Sequence, residues 1–245
     1  MLFRSSSTCF SVFSRNRDEH DLPWSDERIV TATILMIWGA YIEVAALMAS
    51  TLIHIRGQAD VRERILREAA RQGLADRTAS GSLAPWTLPY TAGVVRESLR
   101  LTPPAGGGFR LAADDVAIGG FRIPAGTVIT ADPRIGNRMP TLFPEPVVFQ
   151  PERWVKPTGS SGSCPFAGTA ALLPKAAWFP GGIGLHGCPG IPLAELCGRM
   201  FLVRWLQAIK AWRQPAGSPD AIPYTLVPIK IPTDAYQLLV EPTAR

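Results

Sequence analysis

A chain of 245 residues that is 47% hydrophobic and 18% charged carries ample apolar material for a packed core, which excludes a wholly disordered polypeptide. The length admits one large domain or two modest ones. Four cysteines (Cys9, Cys164, Cys188 and Cys197) are too few and too scattered for a disulfide scaffold and point to a reducing, cytoplasmic setting. The net charge is +5, and with only four lysines, 21 of the 25 basic residues are arginine. Arginine suits fixed, bidentate ion pairs, so part of this charge is expected inside the fold. No basic run is interleaved with aromatics, which argues against a nucleic-acid partner. A basic patch for an acidic protein stays open.

Residues 1–23 are polar, rich in Ser and Arg, and without periodicity, so they read as an irregular N-terminal segment ahead of a folded portion, 24–245. Met1 and Arg4 suggest a targeting peptide only loosely, because no adequate apolar run comes after them. Ser25-Asp26-Glu27-Arg28 then opens a long apolar stretch, Ile29 to Ile55. A serine N-cap with acids in the first turn starts a helix. Such a helix is long enough to cross a bilayer, but Glu43 lies at its middle and no Trp/Tyr belt marks both ends. A core helix of a larger protein is the better reading, with a membrane span as the alternative.

Asp60 to Leu74 is amphipathic, with Val61, Ile65, Leu66 and Ala69 on one stripe and Gly73 as a stop. Pro89 to Leu101 reads as another helix, closed by Pro103-Pro104. The period then changes. Gly108–Leu111, Val116–Ile118, Phe121–Ile123 and Val128–Thr130 are short strand-like runs divided by Gly-Gly and Pro-Ala-Gly, a small antiparallel sheet. Residues 131–182 are mostly irregular. Pro192 to Trp212 has the pattern of a second long helix, and Tyr224–Ile231 with Tyr236–Val240 resembles a hairpin. The fold class expected is mainly α with small antiparallel β sheets.

The densest candidate site is Trp178 to Gly190, WFPGGIGLHGCPG. Residues 182–187 satisfy GxGxxG, yet a dinucleotide fingerprint needs a strand before it, a helix opening within it and an acid about 20 residues on. Here Pro180 precedes it, Pro189 and Pro192 break the stretch after it, and position 207 is Gln. The match is a decoy. Cys188 instead sits between a glycine-rich loop and a helix start, where free backbone N–H groups and the helix dipole favour a thiolate. Small neighbours leave room for a flat, bulky ligand, and an axial cysteine presented this way suits a haem iron. On this loop alone a buried structural cysteine is an equal alternative.

A second constellation separates the two. Glu97 and Arg100 lie three apart on one helix face, where they can pair. Pro103-Pro104, Arg110 and Pro151-Glu152-Arg153-Trp154 come after them in order. This ordered set resembles the C-terminal half of the cytochrome P450 family over residues 25–242. Glu97-Ser98-Leu99-Arg100 is similar to its ExxR motif, residues 151–154 to its PERF/PERW segment, and the loop 182–190 to its haem-binding signature. The run Pro103 to Arg110 is most similar to the cyanobacterial, retinoic-acid-hydroxylase-like branch.

The resemblance implies a partial P450 fold lacking the N-terminal helices, and a haem-thiolate oxidoreductase that inserts oxygen into an apolar substrate. Haem b (iron protoporphyrin IX) is the implied cofactor. Cys188 would be its metal ligand, Arg110 and His186 would hold its propionates, and Gly182, Gly184 and Gly190 would line it. Glu97, Arg100 and Arg153 would form a buried structural triad. A ferredoxin or reductase is the implied redox partner.

Three departures accompany the resemblance. Gly181 stands where the signature usually has Phe. In Gly39-Ala40-Tyr41-Ile42-Glu43, Glu43 takes the acid position but Val44 replaces the alcohol, leaving Glu43 as a lone proton donor and admitting a peroxide-using or rearranging variant. Family members are also about twice this length. The expectation is therefore a fragment or truncated gene product, or a chain that pairs with another polypeptide completing the distal pocket; the rival function is a non-catalytic haem-binding or interaction remnant.

Overall fold

The computed structural model describes residues 13–74, 88–155, 177–184, 187–217, 224–225, 229–233 and 236–243. The chain divides into two compact units, 1–44 and 45–245, with the border inside helix α1 (Asp26–His54).

Within the first unit, the carboxylate of Asp18 accepts the N–H groups of His20 and Leu22, Arg17 bridges to Pro23, and the Trp24 N–H donates to Asn16 O. Phe13 stacks on Trp24 at 5.8 Å and Arg28 lies over the same indole. Ser25 Oγ accepts the Arg28 N–H, the N-cap bond that the sequence pattern calls for. Beyond it the apolar run is not buried along its length, as a core helix would be. Ile34, Leu35, Ile37, Trp38 and Tyr41 are exposed, Ile37 at 65% and Tyr41 at 77%.

The second unit is helix-rich. Leu47, Leu52 and Ile55 join one core with Val61, Ile65 and Ala69 of α2 (Ala59–Arg71), Val94, Val95 and Leu99 of α3 (Pro89–Leu101), and Leu202, Val203 and Leu206 of α5 (Ile191–Ala208). Helix α2 ends where expected: Gly73 takes φ +73° and Leu74 N–H returns to Ala69 O. Glu68 on α2 caps α3 by accepting the N–H groups of Tyr90 and Thr91 and the Thr91 hydroxyl. Arg96 on α3 grips Glu195 on α5 with two bonds of 2.8 and 2.9 Å. The central α3 is buried on nearly every side. At Gly93 an added Cβ would stand 2.8 Å from Pro151 O, so only glycine admits the segment that starts at Pro151 so closely.

After α3 the strand-like runs form two separate two-stranded pairs, not one sheet. Strand β1 (Gly108–Leu111) pairs antiparallel with β4 (Val128–Ala131), and β2 (Val116–Ile118) pairs with β3 (Phe121–Ile123). A short helix α4 (Pro133–Gly136) comes next, capped by Asp132, and then a 3-10 turn, Pro151–Trp154.

Two further expectations are corrected. The Pro192–Trp212 helix stops at Ala208, and Ile209 turns extended to begin β5 (Ile209–Arg213). The helical spacing continues through this stretch, but β5 finds a partner in β8 (Leu239–Pro242), with Lys210 paired to Glu241 at 2.8 Å. Tertiary pairing overrides local pattern there. The tail is therefore not a single hairpin: Tyr224–Thr225 (β6) pairs with Ile231–Pro232 (β7), while the last strand returns to β5.

Candidate functional site

Helix α3 places Glu97 and Arg100 one turn apart, both fully buried. Arg100 donates from Nε to Glu97 Oε2 at 2.9 Å and from Nη2 to Oε1 at 2.7 Å. Its remaining donors reach three backbone oxygens: Asn137 at 2.9 Å, Pro146 at 2.6 Å and Val148 at 3.1 Å. The 3-10 turn brings Arg153 to the same carboxylate, Nε to Oε1 at 3.3 Å, and Arg153 Nη2 binds Glu145 O at 3.0 Å. Glu97, Arg100 and Arg153 thus meet at one buried centre.

Sequence reasoning missed two further donors to that centre. Trp154 Nε1 binds Glu97 Oε2 at 2.9 Å, and the Gln150 N–H binds Oε1 at 3.0 Å. A tryptophan next to a buried Arg is the available signal, because a buried indole N–H needs an acceptor. Missed also was His54 at the end of α1. Its Nε2 lies 2.9 Å from Thr102 Oγ1 and its ring stacks on Phe149 at 5.1 Å. Burial, with Lys230, Arg138 and Arg100 nearby, lowers this imidazole to about 4, against the opposing pull of Glu97.

The cysteine loop runs from Trp178 into α5. The Cys188 N–H donates to Gly181 O at 2.8 Å, the Gly187 N–H to Gly184 O and the Gly182 N–H to Phe179 O, each at 3.0 Å. Gly182 and Gly184 take φ +80° and +73°, a conformation natural to glycine. Cys188 is exposed, and its Sγ accepts the N–H of Gly190, the α5 N-cap, at 3.3 Å. At Gly181 an added Cβ would fall 2.8 Å from Cys188 Cβ and 2.9 Å from Ile191, so the glycine in place of the usual phenylalanine leaves no room for a side chain.

Arg110 stands on β1 opposite Ile129, exposed, with Nη1 on its neighbour's carbonyl, Phe109 O, at 2.7 Å. It meets no carboxylate among the described residues. His186 lies outside the described residues. Glu43 lies in the first unit, and burial raises its carboxyl above the ordinary value.

Residues 5–240 match the family described as Cytochrome P450. The chain is 29% identical over 203 residues to the "Putative cytochrome P450 120" of Synechocystis sp., covering 83% of this chain and 43% of that protein. It is 38% identical over 108 residues to the "Cyclooctat-9-en-7-ol 5-monooxygenase" of Streptomyces melanosporofaciens, 44% of this chain and 21% of that one. Among solved structures, "Retinoic acid bound cyanobacterial CYP120A1" superposes with a TM-score of 0.77 at 26% identity, over 96% of this chain and 50% of that one. The chain thus spans about half the length of these relatives or less.

Proposed function

The chain belongs to the cytochrome P450 family, and from that premise we propose that residues 24–245 are the C-terminal haem-binding portion of a monooxygenase that inserts oxygen into an apolar substrate. The fold is a partial P450 fold, and the cofactor implied is haem b, iron protoporphyrin IX. The residues present fit that group. An exposed sulfur at a helix N-terminus, with Gly190 against it and open space beside Gly184 in the loop before it, would offer a soft donor with room for a planar ligand. This presentation of Cys188 is the observation that carries the reading.

When bound, the haem would supply the oxidative chemistry, with Cys188 the residue that would hold its iron. The chain's own residues orient and supply. The Gly190 N–H donates to the Cys188 sulfur and would steady it as a ligand. Arg110, with His186, is proposed to anchor the propionates, since an exposed guanidinium that meets no carboxylate among the described residues is suited to one. Glu97, Arg100 and Arg153 form the structural triad that holds the segment 137–154 in place. Glu43 is the proposed proton donor: burial raises its carboxyl, so it holds a proton to higher pH than a free one and can deliver it.

Val44 beside Glu43 carries no hydroxyl, which favours a second reading, a peroxide-using or rearranging P450. Under the first reading electrons come from a ferredoxin or reductase, and the +5 charge suits an acidic donor. Because the chain spans half of its solved relative, the distal pocket is proposed to be completed by further polypeptide, a second chain included. The location expected is cytoplasmic. Helix α1, with a mean hydropathy of 1.8 over an 18-residue window, is the one membrane-span candidate among the described residues.

A single spectrum tests the proposal. The reduced, CO-bound protein is expected to give a thiolate-shifted Soret band, and Cys188→Ser is expected to abolish it. Wild-type protein that takes up no haem overturns the reading. Haem uptake without turnover, with either a reductase or peroxide, identifies the non-catalytic remnant instead.

A further inference from the structure

We infer that Trp178 and Phe179 are positioning residues for the Cys188 thiol, gripped by two arms that reach out from the buried Glu97–Arg100 centre. The first arm runs through Trp154, whose Nε1 is fixed on Glu97 Oε2 at 2.9 Å. Its ring meets the Trp178 ring at 5.1 Å with a tilt of 55°, a favourable aromatic pairing. The second arm runs through Arg100, which holds Asn137 O at 2.9 Å. The preceding residue, Gly136, lies close against the Phe179 ring, where an added Cβ would be 2.8 Å from the ring edge. Two adjacent loop residues are thus held from two directions by one charge centre.

From there the path to sulfur is short. The Phe179 carbonyl accepts the Gly182 N–H, and the Gly181 carbonyl accepts the N–H of Cys188 at 2.8 Å. Moving the entry of the loop therefore moves the residue that carries the thiol. Trp178 acts by its shape. Its Nε1 is buried with no hydrogen-bond partner among the described residues, so a phenylalanine at this position sacrifices no bond and keeps a ring face against Trp154. Positioning by packing and a polar role for the indole are thereby separable.

The inference rests on the haem-thiolate reading for its spectral arm only. The test compares wild type with Trp178→Ala, Trp178→Phe and Gly136→Ala in the full chain. In haem-free protein, alkylation of Cys188 by iodoacetamide is followed peptide by peptide, with Cys197 on α5 as the internal reference. In haem-loaded protein, the share of the reduced CO complex with the thiolate-shifted band is measured. Trp178→Ala and Gly136→Ala are expected to change the Cys188 rate several-fold with Cys197 unmoved, and to lower the thiolate share. Trp178→Phe is expected to restore both.

Unchanged Cys188 reactivity in both disruptive variants overturns the inference. So does a Phe variant as impaired as the Ala variant. Should Trp178→Ala fail to fold, Gly136→Ala and Trp178→Phe decide alone. If wild type takes up no haem, the P450 reading fails, while the alkylation arm still decides this one.

Discussion

Glu97 concentrates the chemistry of the fold in one carboxylate. It accepts from Arg100 twice, and from Arg153, Trp154 and the Gln150 backbone. An ionised carboxylate has about four lone-pair sites, so it is saturated. Removing it leaves two guanidinium groups buried without their counter-charge, a change that costs about 3–5 kcal/mol. Glu97→Ala is expected to abolish the cooperative urea transition, and Glu97→Gln to lower its midpoint steeply; a midpoint equal to wild type would contradict the triad.

His54 adds a pH signature. Its folded value of about 4 lies below the ordinary 6.5, because burial and the nearby cations disfavour the imidazolium. The stabilising contribution of the neutral ring is complete above pH 6.5 and is lost as pH falls from 6.5 through about 4. Burial of this depth bounds the contribution at about 3 kcal/mol. Urea midpoints measured from pH 7 to 4.5 are expected to fall more steeply in wild type than in His54→Gln. At this scale the Glu97 and Arg100 pair was legible from its spacing. For Trp154 the sequence held a signal that an acceptor was needed but not which one, and for the His54 contact it held none, since each joins residues brought together only by folding.

Helix α3 is the element that the others are built around. The 3-10 turn lies across its glycine, and α2, α4 and α5 border it. Gly93→Ala puts a methyl 2.8 Å from Pro151 O, a contact that backbone must yield to. Overpacking of this kind costs about 1–3 kcal/mol; a thermal scan is expected to register the drop, and the cysteine loop is expected to loosen with it. Most elements could be read in advance, because helical stripes, capping serine and Gly-bounded strand runs are local signals. The end of α5 could not. Ile209 to Trp212 continue the apolar spacing of the helix, and their strand partner, Leu239–Pro242, lies about thirty residues on. Likewise, which of the four short runs after α3 pair with which depends on contacts that no local pattern records.

At the scale of the whole molecule, the exposed apolar length of α1 governs behaviour in solution. Ile34, Leu35, Ile37, Trp38 and Tyr41 lie within about two turns of helix and face solvent. Exposed apolar surface of this extent marks an interface or an aggregation hazard. The chain alone is expected to self-associate with rising concentration in sedimentation velocity, and a double Ile34→Lys, Ile37→Lys variant to do so less. A monodisperse wild type would oppose this expectation. The charge of the molecule is also less external than its count suggests, since Arg96, Arg100 and Arg153 all pair with buried carboxylates.

The saturation of Glu97 has a kinetic side. Three of its donors lie 53, 56 and 57 residues downstream, so its pocket closes only after a long loop has been drawn back to α3. The entropy of that closure must be met before any of those bonds forms. Bonds that close so long a loop are expected to be absent from the folding nucleus, so weakening them with Trp154→Phe is expected to raise the unfolding rate and leave the refolding rate nearly unchanged in a chevron. On that expectation, the same carboxylate that organises the site at rest serves, over time, as the catch that keeps the chain from opening.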